Sequence, residues 1–128
     1  MTEESQPPEE PLEVPDTFRS GVRPEQFTAE IDLTDDKGTV AVTGEVDVLT
    51  APLLWERLQQ AIDTSKGSLV IDLGGVRFID SMGLGTLVRA HKRLCEDSRT
   101  MLIRAPDDRA RKLFALTGLD NVFTFETG

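Results

Sequence analysis

From Phe27 onward the chain switches between two periods. Phe27, Ala29, Ile31 and Leu33 occupy every second position with polar residues between them, the pattern of a half-buried strand. Val40, Val42 and Val46 repeat it after an Asp35-Asp36-Lys37-Gly38 turn, in which Gly38 suits a positive φ. The two strands read as a hairpin, with Gly44 marking a bulge or a close backbone approach. Thr50-Ala51-Pro52 then opens a helix, with Thr50 as cap and Pro52 in the first turn. Ala51, Leu54, Leu58, Ala61 and Ile62 form its buried stripe.

A strand at 68–73 follows, and after it a second amphipathic helix. Leu84, Leu87, Val88, His91, Leu94 and Cys95 lie on one face of that helix, with Arg89, Lys92 and Arg93 off it. Met101-Leu102-Ile103 is a continuous apolar run, expected to be a strand covered on both faces. Asp107 caps a third helix that turns Ala110, Leu113 and Phe114 inward. Gly118 ends it in a left-handed conformation, and Leu119 folds back onto it. Val122, Phe123 and Phe125 make a last short strand. The order ββαβαβαβ predicts a single α/β domain over 27–128, a mixed β-sheet with right-handed crossover helices packed on it.

Residues 1–26 break the pattern. They hold five of the seven prolines, with seven acids against two arginines, and are expected to form a disordered acidic Pro/Glu-rich arm, either a solvated tail or a docking segment. The arm carries −5 of the net charge of −9. An acidic domain without a basic face repels phosphate backbones and anionic membranes, which argues against nucleic-acid or membrane binding. The apolar runs are too short to span a bilayer, and no secretory leader is visible. One cysteine excludes an internal disulfide and a cysteine-built zinc site and suits a reducing cytoplasm. On the helix stripe, Cys95 is expected to be an inert core thiol.

The most informative stretch is Phe78-Ile79-Asp80-Ser81-Met82-Gly83-Leu84-Gly85, where strand gives way to helix. Ser81 is expected at the N-cap, where a hydroxyl can cap the helix, act as a nucleophile, or carry a phosphate against the first-turn amides. The nucleophile reading lacks a base. His91, the one histidine, is ten residues along the same helix, roughly 15 Å along the axis at 1.5 Å per residue. The Gly-x-Ser-x-Gly elbow is also absent, because Ile79 stands where its first glycine belongs. Gly83-Leu84-Gly85 is a partial dinucleotide fingerprint, and Val88 stands where its third glycine belongs. The carboxylates lack metal-ligand spacing: Asp107-Asp108 reads as a cap and Asp35-Asp36 as a turn. No enzyme, cofactor or metal is expected. A plain N-cap accounts for the serine but not for Gly83 and Gly85, since helix glycines cost about 0.5–1 kcal/mol against alanine. Close approach by a partner accounts for both.

Three segments resemble one family. Thr43-Gly44-Glu45-Val46-Asp47, followed by Thr50-Ala51, is similar to the Thr-Gly-Glu-Leu-Asp segment of bacterial anti-anti-sigma factors, the single-domain STAS proteins. Asp80-Ser81-Met82-Gly83-Leu84-Gly85 resembles their phosphorylation loop, and residues 110–119 resemble their late helix and turn. The resemblance implies a transcription regulator without catalysis of its own. Its unphosphorylated form binds an anti-sigma factor that is also a serine kinase of the histidine-kinase-like ATPase fold, which frees a sigma factor. Phosphorylation of Ser81 ends binding, and a metal-dependent serine phosphatase resets the switch. The implied partner-binding residues are Asp47, Thr50, Asp80, Ser81, Met82, Gly83, Leu84 and Gly85.

Three departures stand out. Met82 replaces a small or hydroxyl residue, the acidic arm is long, and the sequence ends at Gly128 where many relatives add a C-terminal helix. The sheet surface such a helix would cover is then left for another element, a partner or a weak homodimer contact. The alternative function is a STAS-type small-molecule-binding or scaffold module of a larger signalling or transport assembly.

Overall fold

The computed structural model describes residues 23–34 and 37–126. The expected arm up to residue 22 and the Asp35-Asp36 part of the expected turn lie outside the described residues. Five strands and three helices follow the expected order: β1 (Phe27–Thr34), β2 (Lys37–Val46), α1 (Ala51–Thr64), β3 (Leu69–Ile79), α2 (Ser81–Glu96), β4 (Met101–Arg104), α3 (Asp108–Thr117) and β5 (Thr124–Phe125). The strands stand in the sheet in chain order. β1 is antiparallel to β2, and each later neighbour is parallel.

One apolar core joins the sheet to all three helices. Phe27, Ala29, Val40, Val42, Leu69, Ile71, Met101 and Ile103 meet Leu54, Leu58, Leu87, Leu94 and Phe114 there. The expected α1 stripe of Ala51, Leu54, Leu58, Ala61 and Ile62 is buried throughout. Helices α1 and α2 are also joined outside the core. Arg93 pairs with Asp63, and the Arg89 guanidinium lies 4.1 Å from the centre of the Trp55 ring.

Gly44 adopts φ +93°, and a Cβ there would meet the Gln26 carbonyl oxygen at 2.1 Å. The expected close approach is real. It is made by residues 23–26, which sequence assigned to the arm and which form a turn, with the Glu45 amide donating to Gln26 O at 2.8 Å. Gly38 differs from expectation. It lies inside β2 without a positive φ, and its missing side chain makes room for Leu69 Cδ1, 2.8 Å from where a Cβ would stand.

Five further expectations are corrected. β3 extends from 69 to 79 instead of ending at 73, because Gly75 lets the strand pass Thr43 of β2, whose Cγ2 would be 2.7 Å from a Cβ. Cys95 is exposed, not in the core. Ala90 and Leu94 fill that side of α2, and the thiol sits at its margin, 3.6 Å from His91 Nε2. β4 is covered on one face: Met101 and Ile103 are buried, while Leu102 and Arg104 are half-buried on the other. β5 is two residues long, with Phe123 packed in the core before it and Val122 exposed in the turn after a 3-10 segment at Leu119–Asn121. Leu33, at the far end of β1, is also exposed.

On the outer face Arg104 holds β5 by pairing with Glu126, with Asp72 nearby. The Arg104 hydrogen bond holds the Glu126 carboxyl below the usual glutamate range, and the same bond raises Arg104.

Candidate functional site

The ends of β2 and β3 set the site. The two strands run parallel to their last pair, Val46 opposite Ile79. The next residues, Asp47 and Asp80, leave the sheet side by side, and the Asp80 amide donates to Val46 O at 3.1 Å. This is the rim at the carboxyl ends of parallel strands, where open α/β sheets place their ligands.

The first loop is held by its own polar groups. Asp47 Oδ1 accepts the amides of Leu49 at 3.0 Å and Thr50 at 3.2 Å. Thr50 Oγ1 accepts the Asp47 amide at 2.9 Å and donates to Glu45 O at 2.8 Å. Thr50 stands at the N-cap of α1 as expected, but its side chain does not cap the helix, because its hydroxyl is committed to the loop. With both polar side chains turned inward, Val48 and Leu49 point out, 65% and 62% exposed. Sequence reading missed this apolar pair, since a two-residue loop segment has no periodicity to mark it.

In the second loop the cap is Asp80, not Ser81. Asp80 Oδ1 accepts the amides of Met82 at 2.9 Å and Gly83 at 3.2 Å, and its carbonyl accepts the Leu84 amide at 3.0 Å. Ser81 is therefore the first helical residue, exposed, and its hydroxyl makes no hydrogen bond among the described residues. Beside it Met82 is 50% exposed, and Phe78 is 49% exposed on the strand leading in.

The two glycines part company. A Cβ on Gly83 would stand 2.6 Å from Val46 Cγ1 and 2.7 Å from Ile79 Cγ1, so Gly83 lets the helix sit directly on the two strand ends. A Cβ on Gly85 would meet nothing within 4 Å. Intramolecular packing accounts for the first glycine and leaves the second unexplained. Leu84 is buried and offers no surface. Of the expected contact residues, Asp47, Asp80, Ser81 and Met82 share the rim, Gly85 is exposed one turn along α2, and Thr50 lies buried beneath.

Among the described residues no group of three or more His, Cys, Asp or Glu side chains could hold a metal. No helix among them is long and apolar enough to cross a membrane.

The family model described as "Mlab, STAS domain" matches residues 29–124. An anti-sigma-B factor antagonist from Staphylococcus aureus is 34% identical over 89 residues, covering 70% of this chain and 82% of its own. The crystal structure of an anti-sigma factor antagonist from Mycobacterium paratuberculosis superposes with a TM-score of 0.73 at 31% identity, over 83% of this chain and 90% of that one. The Bacillus cell fate determinant SpoIIAA in its phosphorylated form shares the fold, with a TM-score of 0.61 at 20% identity over 79% and 91% of the two chains. The chain belongs to the STAS-domain family of anti-sigma factor antagonists.

Proposed function

We propose that this chain is a partner-switching protein whose Ser81 rim docks an anti-sigma factor, itself a serine kinase of the histidine-kinase-like ATPase fold, and so releases a sigma factor. The observation that carries the reading is Ser81 itself: exposed, without a hydrogen bond to its side chain among the described residues, and set on the rim that also exposes Val48, Leu49 and Met82. Apolar side chains there supply contact area. Asp47 and Asp80 shape their loops through backbone amides, so a partner meets a surface already fixed before binding.

In the kinase step Ser81 Oγ attacks the γ-phosphorus of ATP, its proton leaves to a base on the kinase, and ADP departs. A metal-dependent phosphatase adds water across the P–O bond and restores the hydroxyl with release of inorganic phosphate. The phosphate adds about −1.5 to −2 charge at neutral pH. At the start of a helix the dipole favours an anion by about 0.3–1 kcal/mol, so the fold survives. The Met82 and Gly83 amides already belong to Asp80, however, and the phosphate has few donors within its own domain. Its charge stays on the docking surface beside a carboxylate. A cost of about 3–4 kcal/mol to association there weakens it several hundred-fold.

The test is capture of partners from lysate of the native organism on wild-type, Ser81→Ala and Ser81→Asp baits. Wild type and Ser81→Ala are expected to retain an ATPase-fold kinase, and Ser81→Asp to lose it. Equal recovery on Ser81→Asp, or loss on Ser81→Ala as severe as on Ser81→Asp, overturns the reading.

A further inference from the structure

β3 outruns its neighbour. β4 pairs with it from Leu69 to Asp72 only, and at Ala105 the chain turns away with φ +56° ahead of Pro106. From residue 73 to 79 no strand among the described residues covers β3 on that side, while β2 covers the other. Helix α3 passes over the gap and leaves a groove of about 290 Å³. Phe78, Ile79, Leu113 and Leu116 supply its apolar lining, and Phe78 and Leu116 are 49% and 77% exposed. Arg77, Arg109 and Lys112 add positive charge against one acid, Asp107, whose carboxylate is engaged by the Ala110 amide. An open strand edge beside an apolar trough is the geometry that takes up an extended peptide.

We propose that the occupant is the amino-terminal segment of the same chain, residues 1–22, laid along the open edge of β3 beneath α3. Three observations select it over other peptides. The described chain begins across β2 from the open edge, within reach of the groove: Arg77, one of the lining residues, extends to donate from Nη2 to Glu25 O at 3.1 Å. Residue 22 is three residues from Glu25, within about 10 Å even fully extended. The charges are complementary, because residues 1–22 carry six acids (Glu3, Glu4, Glu9, Glu10, Glu13 and Asp16) against Arg19. The segment also brings apolar side chains, with Leu12, Val14 and Phe18 grouped in its middle. Tethering removes most of the cost of bringing two molecules together, so a weak contact suffices. Ile79 continues directly into Asp80 and Ser81, so a filled groove abuts the candidate rim. The proposal does not depend on what that rim binds.

Amide hydrogen exchange on the full chain tests it, comparing wild type with Leu12→Ser/Val14→Ser/Phe18→Ser and with Arg109→Glu/Lys112→Glu. All the substituted positions lie in the segment or on exposed α3 surface, and circular dichroism verifies that the fold is kept. In wild type the amides of 75–79 that point away from β2 are expected to exchange at least about tenfold more slowly than in either variant, with partial loss of protection at high salt. Equal exchange in wild type and the apolar variant overturns the proposal. Protection that rises with protein concentration also overturns it, and assigns the groove to a second copy of the chain.

Discussion

Helices α2 and α3 start alike and continue differently. Each follows a strand, and each is capped by an aspartate: Asp80 takes two amides, and Asp107 takes the Ala110 amide at 2.8 Å. Helix α3 then does what stability asks. It places Asp108 in its first turn, has no glycine within it, and closes on Gly118 at φ +78°. Helix α2 has no first-turn acid, carries glycines at 83 and 85, and exposes Ser81 and Met82. With capping in common and Gly83 taken up by packing on Val46 and Ile79, the exposed Ser81 and Met82 on the rim and the unpacked Gly85 one turn along mark where α2 departs from a purely structural helix start.

Gly83→Ala is the harshest way to probe this contrast. Its Cβ would press on Val46 and Ile79, both buried, and stability in urea is expected to fall by about 1–3 kcal/mol. A neutral result would mean that α2 is free to lift off the strand ends. Asp80→Ala and Asp107→Ala are expected to cost about 1 kcal/mol each, within the usual 0.5–2, with Asp80→Ala the costlier because two amides lose their acceptor. The reverse order in thermal denaturation breaks the claim that the caps differ in this way. Gly85→Ala is the mildest change and the one that sharpens the comparison most. With open space around it, alanine should raise stability by roughly 0.5–1 kcal/mol while weakening capture of the rim's partner. Higher stability with unchanged capture would remove Gly85 from the docking surface.

How far this was legible in sequence varies with the kind of signal. Although the β1 alternation fails at the exposed Leu33, the α1 stripe transferred directly, buried residue for residue from Ala51 to Ile62. So did motifs with one physical solution, such as Gly118 in the left-handed region after α3. Signals with two solutions did not. Asp80 and Ser81 are both good caps, and only the side-chain hydrogen bonds put the cap at Asp80 and leave Ser81 free. The apolar run reads as a strand over 68–73, yet the strand continues because Gly75 is a passing place between β3 and Thr43, a relation across strands that one strand's pattern does not carry. Cys95 occupies a stripe position by spacing, but Ala90 and Leu94 already complete the buried face. Val48 and Leu49 are exposed because two loop hydroxyl and carboxyl groups turn inward, a reversal invisible without the fold.

The contact between Trp55 and Arg89 turns this architecture into an instrument. Trp55 is the one tryptophan of the chain, and the sequence has no tyrosine to obscure it. It lies near the start of α1, which follows the Asp47 loop, and its ring is faced by a guanidinium on α2, which begins at Ser81. The indole thus straddles the two helices that spring from the two loops of the rim. A shift of one helix against the other alters the indole's electrostatic surroundings and so its emission. Emission from the native unlabelled chain therefore reports, in solution and in real time, any movement of α1 against α2.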